Sequence, residues 1–555
     1  MQASRVLCVL KAINDMTFDR IKVLKDKMWY CERKENIFII IALLFSFLIT
    51  LYAQYPLLVN KYAINDDVRH AVYFYSRYQD KELFKNDYIT NFYSQWSPWG
   101  LNIFYFIVSF FYDPVQFTKI LPFFICGLSA SYMFKIGKLL RNNITGLIAS
   151  TLFVLVSWSR EIFESFGTGD GESFAVLFCA MFLYYLLKNN SYKINIVLIL
   201  LSLFYPPILL VSLLTYSTCL LFGFLKSKKI NKNELGLFAG IVFIIILFFS
   251  LKYANGRLSL VNLDTMQKME EFYPGGRTPV FFSSVYDRLT NYQSGLAFDY
   301  PLKFLFLAAI GIVFFLKKRA LNLSYKFWCF LSASLVCFTL ANIFMFKLYG
   351  PSRYVRHPLP FFLIIFVSYN LDKIFDKIES ANIKSIAIFL FLAATFISFF
   401  PKIQRYFIVA VQPNLYNFLQ TLPKDIYIAG HPNSLDNVPT FAKRKVFINE
   451  ETSEPYYTNY YPVIKQRTYD FFNAYYSDSI NQIYDFCKKY SITHIIVYKH
   501  HFSQDYLAKG MFYLNPFNGY IKNLVKNKKS FAWMDISTKK KIFEEGDVLV
   551  IDIAR

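Results

Sequence analysis

Cysteine is scarce where a disulfide-stapled scaffold would need it. The 555 residues hold eight cysteines, and only Cys487 lies beyond residue 401, so no internal disulfide can staple the C-terminal part. The others sit in or beside apolar runs or in the N-terminal tail, where they read as small apolar residues. Histidine is rarer, six in all, and forms no metal set: His500-His501 reads as solvated, and His70 and His357 only neighbour an acidic and a basic cluster. No internal repeat or low-complexity linker is visible, and the apolar runs are nearly free of charge, which argues against a repeat-built transporter. No cleavable signal is evident, because the first apolar run starts only at Ile37. The lack of an external disulfide framework and of a eukaryotic targeting signal points to a bacterial setting.

What is abundant is apolar and aromatic surface: 55% hydrophobic residues, 62 Phe and 42 Tyr, with a mean hydropathy of +0.31. Long uncharged runs of this kind read as transmembrane helices, since only a helix satisfies its own backbone groups in hydrocarbon. The net charge of +22 then reflects basic turns on the cytoplasmic side, and a nucleic-acid partner is not expected. Lys135, Lys138 and Arg141, Lys188 and Lys193, Lys226 to Lys229, Lys317-Lys318-Arg319, and Lys373 with Lys377 all fall between runs. With the N-terminal segment 1–36 cytoplasmic, these turns give about eleven spans within 37–401, one pair of them split at Pro206-Pro207. Two long loops, 56–117 and 254–300, and a C-terminal region 402–555 are left outside. Trp99 to Tyr112 reads as a helix lying in the interface, anchored by Trp96 and Trp99. In the C-terminal region, short apolar strands (Ile426 to Ala429, Ile495 to Tyr498, Val548 to Ile551) flank a helical pattern over Ser479 to Tyr490. The expected fold is a polytopic α-helical membrane protein with a C-terminal external α/β domain.

Three clusters carry chemistry. Gly167-Thr168-Gly169-Asp170-Gly171-Glu172 sets two carboxylates one residue apart on a flexible turn between apolar runs. Asn65-Asp66-Asp67 follows the first run, on the same side. Carboxylates beside hydrocarbon need water, a basic partner or a cation, and an oxygen-only set suits Mg²⁺ or Mn²⁺. Solvated loop ends, with Asp170 and Glu172 favouring a helix N-terminus, would show the same spacing. The third cluster, Tyr349 to Pro358, carries Arg353, Arg356 and His357 on a turn where the positive-inside bias disfavours arginine. Arginine forks bind phosphate oxygens bidentately, and snorkelling to headgroups is the plainer reading.

Ser159-Arg160 followed by Gly167 to Ala175 resembles the second external loop of the catalytic subunit of oligosaccharyltransferases, within the GT-C class of membrane glycosyltransferases. The order of parts is similar too: one span, a long loop bearing an aspartate, the Asp-x-Glu loop, an arginine loop, and an external domain. The resemblance implies metal ligation by Asp67, Asp170 and Glu172, and a first-loop aspartate, Asp66 or Asp67, that contacts the metal or acts on the acceptor. It implies donor-phosphate binding by Arg353 or Arg356 beside His357. The implied donor is a sugar on a polyprenyl phosphate or diphosphate, transferred with inversion on the external face of the membrane. One departure stands out: where oligosaccharyltransferases carry Trp-Trp-Asp-Tyr-Gly, this chain has Ala429-Gly430-His431-Pro432. Asparagine glycosylation is therefore not the expectation, and a glycan, lipid or protein acceptor stays open. Asp436-Asn437-Val438-Pro439 and Arg444 shape either a different acceptor site or a turn without function. A flippase of lipid-linked glycans and a non-catalytic assembly protein are the alternative readings. The expected location is a bacterial inner membrane, with the C-terminal domain outside.

Overall fold

The computed structural model describes residues 18–159, 166–228, 232–253, 259–296, 298–403, 407–526, 528, 530–533 and 540–553, with side chains described from residue 36. The chain is built from apolar helices followed by a small mixed sheet. The helices are α1 (Phe18–Val59), α2 (Tyr88–Trp96), α3 (Trp99–Ser109), α4 (Leu121–Leu140), α5 (Asn143–Ser159), α6 (Gly171–Leu187), α7 (Ser191–Phe204), α8 (Pro206–Ser227), α9 (Lys232–Tyr253), α10 (Tyr300–Leu316), α11 (Tyr325–Ile343), α12 (Pro358–Phe375) and α13 (Ala381–Phe399). Among the described residues, seven helical segments are long and apolar enough to cross a membrane, and α3, α5, α6 and α7 are shorter apolar helices. The protein is a multi-pass membrane protein by this measure.

Helix α4 is the hub, packing on α1, α5 and α6. One end of α4 is tied to α12 through Asp372, which is fully buried, pairs with the Arg141 charge (2.6 Å) and accepts from Asn142 (2.6 Å) and Thr145 (2.9 Å). Proline interrupts one span: Tyr205 is extended between α7 and α8, and Pro206, with no N–H to lose, opens the new helix. Helix α3 keeps Trp99, Ile103, Phe106 and Ile107 exposed, the pattern of a helix seated in lipid.

Two short strands, β1 (Ala63–Ile64) and β2 (Ile408–Val409), pair antiparallel. The sheet holds β3 (Tyr427–Gly430), β4 (Lys445–Val446), β5 (His494–Tyr498), β6 (Lys541–Glu545) and β7 (Val548–Asp552) in the order β4-β3-β5-β7-β6. Strand β3 runs parallel to β4 and β5, and β7 antiparallel to β5 and β6. The two-residue period of a strand divides its side chains between two cores. Ile428, Ile496, Val548 and Val550 join the core shared with the helices, whereas Ala429, Ile495, Val497, Leu549 and Ile551 face a second core with α14 (Tyr461–Tyr475) and α15 (Ile480–Tyr490). The sheet is thus packed against the helical part on one face rather than held beside it on a linker. His501, expected to be solvated, is 6% exposed, because Tyr475 and Tyr506 enclose it, whereas His500 is exposed.

Candidate functional site

The β1–β2 pair pins the first acidic turn to the start of the C-terminal region, with Ala410 N–H donating to the Tyr62 carbonyl at 2.9 Å. Asn65 closes this turn by accepting from the Asp67 N–H (3.2 Å). A single helical turn, Val68–Ala71, follows and sets Asp67 and His70 three residues apart on one side.

The second turn is shaped by close approach. Asp170 caps α6, accepting from the Glu172 N–H (2.8 Å) and the Thr168 hydroxyl (2.7 Å). Gly169 adopts φ +68°, and its carbonyl accepts from the Tyr105 hydroxyl at 2.6 Å. A Cβ on Gly171 would lie 2.1 Å from the Phe204 carbonyl oxygen, so α6 starts in direct backbone contact with the broken span. Gly167 faces Asn65, a Cβ there meeting its amide at 3.4 Å. The two acidic turns therefore touch. Arg160, part of the same sequence pattern, lies outside the described residues.

The cationic loop converges on one carboxylate. Glu172, 2% exposed, is paired with Arg353, with Arg356 (3.0 Å) and with His357 (2.9 Å). Of the expected metal ligands, Glu172 is thus drawn toward the arginines. The three groups whose ligand atoms lie within 4.8 Å of one another, among the described residues, are Asp67, His70 and Glu451. Asp170 stands close enough to Asp67 for their charges to oppose each other.

Glu451 comes from the C-terminal region and was not singled out by any motif. His70 Nδ1 lies 3.0 Å from its carboxylate, Arg69 donates at 3.2 Å, and Arg277, from the loop before α10, stands at 3.5 Å. Burial opposes the charge on Glu451, but the His70 hydrogen bond and the arginines hold its carboxyl down to about 2. Burial likewise works against a charged His70, yet the bond to Glu451 and its charge lift the imidazole to about 9. Asp66 is bound to Arg69, and burial with the nearby Glu451 raises its carboxyl. Asp67 is raised to about 7, chiefly by burial, with Asp170 and Glu451 adding repulsion against His70 and Arg353. Asp170 is raised by burial and then by Glu172. Asp436 stands 3.5 Å from Arg69 and accepts from the Glu451 N–H (2.9 Å), so its turn belongs to the wall of this cluster. Arg444 instead donates to the carbonyls of Gln420, Leu422, Ala442 and Lys443, a tie between loops.

A cavity of about 410 Å³ opens beside these groups. Its polar end holds His70, Asp170 and Lys252, and its apolar wall includes Leu210, Phe248 and Phe249 from spans. A larger cavity, about 540 Å³, lies among Leu186, Tyr216, Glu234 and Lys326, away from the clusters.

No protein-family model and no curated protein matches the chain. Solved structures do. The Archaeoglobus fulgidus oligosaccharyltransferase in its apo form aligns with a TM-score of 0.56 at 10% identity, over 88% of this chain and 72% of that one. The same enzyme in complex with zinc and sulfate aligns with a TM-score of 0.52 at 12% identity, over 85% and 69% of the two chains. The fold is therefore similar to that of the archaeal oligosaccharyltransferase.

Proposed function

We propose that this protein is an inverting glycosyltransferase that moves a sugar or glycan from a polyprenyl phosphate- or diphosphate-linked donor to an acceptor on the external face of a bacterial inner membrane. About eleven spans and a cytoplasmic N-terminus complete this reading. The observation that supports it best is the meeting of Asp67, Asp170 and Arg353 beside a cavity whose far wall is apolar span surface.

In this reading the lipid chain lies along the apolar wall and the phosphate faces Arg353. The acceptor, a glycan, lipid or protein group, attacks the anomeric carbon. The bond from that carbon to the phosphate oxygen breaks as the new one forms, and the phosphate leaves with the electron pair. Asp67 takes up the proton that the attacking group loses, since Asp66 is engaged by Arg69. Glu172 aims Arg353 and Arg356, whose two positive charges exceed its single negative one. Burial and mutual repulsion leave Asp67 and Asp170 short of counter-charge, the condition a divalent cation relieves. Asp67, His70 and Glu451, whose ligand atoms converge with Asp170 beside them, would hold such an ion, and a set that includes a nitrogen fits Mn²⁺ better than Mg²⁺. Such an ion would neutralise charge developing on the departing phosphate.

The test is release of polyprenyl phosphate or diphosphate from lipid-linked sugars by the purified protein, with Mn²⁺ and with chelator, beside Asp170→Asn. Release that needs Asp170 is the expected result. Donor binding without turnover across a broad donor and acceptor panel would replace the enzyme with a flippase or a binding protein.

A further inference from the structure

Tyr205 sits at the break between α7 and α8, extended (φ −150°, ψ 90°) ahead of Pro206-Pro207. Its side chain is 8% exposed and lines the 410 Å³ cavity with Asp170 and Lys252. The ring stands edge-on to His357, centroids 6.3 Å apart, and packs 3.5 Å from where a Gly171 Cβ would lie. Its hydroxyl lies in the field of Glu172, Arg353, Arg356 and Asp170. It nonetheless has no hydrogen-bond partner among the described residues.

Leaving a buried hydroxyl unpaired costs about 1–3 kcal/mol, and a phenylalanine would fill the same space without that cost. Two prolines and the Phe204–Gly171 backbone contact fix the position of the residue, so the hydroxyl cannot turn away to water at small cost. The carboxylates around it already take their bonds from other groups: Glu172 from Arg353, Arg356 and His357, and Asp170 from Thr168 and the α6 N-terminus. The hydroxyl, together with Arg353 Nε, is a buried donor left without a partner among the described residues. It stands where the apolar wall of the cavity meets the cationic loop, the place where an anionic headgroup with a long apolar tail changes from one chemistry to the other.

We propose that Tyr205 is a substrate-binding residue whose hydroxyl donates a hydrogen bond to a phosphate oxygen of the lipid-linked donor, alongside Arg353. This inference rests on the glycosyltransferase reading given above. Both a monophosphate and a diphosphate headgroup present such an oxygen, so the two are compared.

The experiment uses the full-length protein in lipid nanodiscs, with polyprenyl monophosphate and polyprenyl diphosphate as binding probes and lipid-linked sugar release as the activity. Tyr205→Phe is expected to weaken binding of the preferred probe about ten- to hundredfold, the loss of one hydrogen bond to a charged group. KM should carry more of the change than kcat, and the unfolding temperature should hold or rise. Unchanged probe affinity with unchanged KM overturns the proposal. A lowered unfolding temperature also overturns it, since that reports a structural partner for the hydroxyl. Failure of the wild-type protein to bind either probe or release product instead removes the glycosyltransferase reading itself, and this inference with it.

Discussion

Replacing Glu172 with glutamine separates an anchoring role from a metal-binding one. The carboxylate is 2% exposed and faces Arg353, Arg356 at 3.0 Å and His357 at 2.9 Å. Removing one partner of a buried ion pair costs about 3–5 kcal/mol, because the opposite charge stays buried and uncompensated. Here two guanidinium groups would be left so, against a total stability of about 5–15 kcal/mol for a typical domain. Glu172→Gln should therefore lower the unfolding temperature markedly and abolish donor turnover through misplacement of Arg353. Asp170→Asn is the control. Asparagine caps a helix about as well as aspartate, so this variant should unfold within about 1 kcal/mol of the wild type while also losing turnover. Added Mn²⁺ should raise the unfolding temperature of the wild type and of Glu172→Gln but not of Asp170→Asn. If Glu172→Gln unfolds like the wild type and loses only the Mn²⁺ response, Glu172 is a ligand and its anchoring role is refuted.

Gly171→Ala sets a methyl 2.1 Å from the Phe204 carbonyl oxygen, and backbone on both sides leaves nothing flexible to yield. The expected outcome is a loss of turnover of at least tenfold, measured on protein that still elutes as a single species, since Asp170 must shift. Acid should weaken the C-terminal region through its buried histidines. Burial drives His431 down to about 4 and His501 down to about 2, so below pH 6.5 the unfolded chain takes up protons that the folded one refuses. Each histidine then costs about 1.4 kcal/mol per pH unit, over pH 6.5 to 4 for His431 and further for His501. A fall in unfolding temperature between pH 7 and 5 that His431→Gln fails to flatten would contradict this account. Glu451→Gln removes the acceptor shared by His70, Arg69 and Arg277, and faster amide exchange over residues 66–71 and 271–279 is the expected signature, with unchanged exchange as the refuting result.

The apolar runs were legible because a membrane span is a local property of composition, and Pro206-Pro207 marked its own break for the same reason. The strands of the C-terminal region were legible from short runs bounded by turns: Ile426 to Ala429 corresponds to β3 at Tyr427–Gly430, and Val548 to Ile551 to β7. Their alternation between two cores was not, since it depends on which face the helices cover. At the site, Gly167 lies against Asn65 of the other acidic turn and Gly171 against the Phe204 backbone, and neither contact shows until those distant residues are seen opposite them. Glu451 had no signal in its neighbourhood, because Asn449-Glu450-Glu451-Thr452 reads as an ordinary polar turn. Its partners Arg69, His70 and Arg277 lie 174 or more positions away in the chain. Tyr205 was hidden for a different reason: one tyrosine among 42 has no contrast until its hydroxyl is found without a partner.

The charges of the site sort themselves into two groups, and the sorting explains its layout. Glu172 with Arg353, Arg356 and His357 carries an excess of positive charge against the start of α6. Asp66, Asp67, Asp436 and Glu451 with Arg69, His70 and Arg277 form a second group in which acids prevail. Asp170 stands between them, feeling both Glu172 and His70. Neither group would be stable alone at this burial, since each holds charge that its own members leave uncancelled. They are brought together beside one cavity, and in the proposed function the positive group would meet the anionic headgroup and the acidic group the nucleophile and a cation. Half of the acidic group is delivered by the C-terminal region, so the sheet that packs its Ile428–Ile496 face on the helices also carries Asp436 and Glu451 to the acidic turn. The docking of that region and the completion of the site are then one event, and any change that lifts the sheet face from the helices should cost activity before it costs the fold of either part.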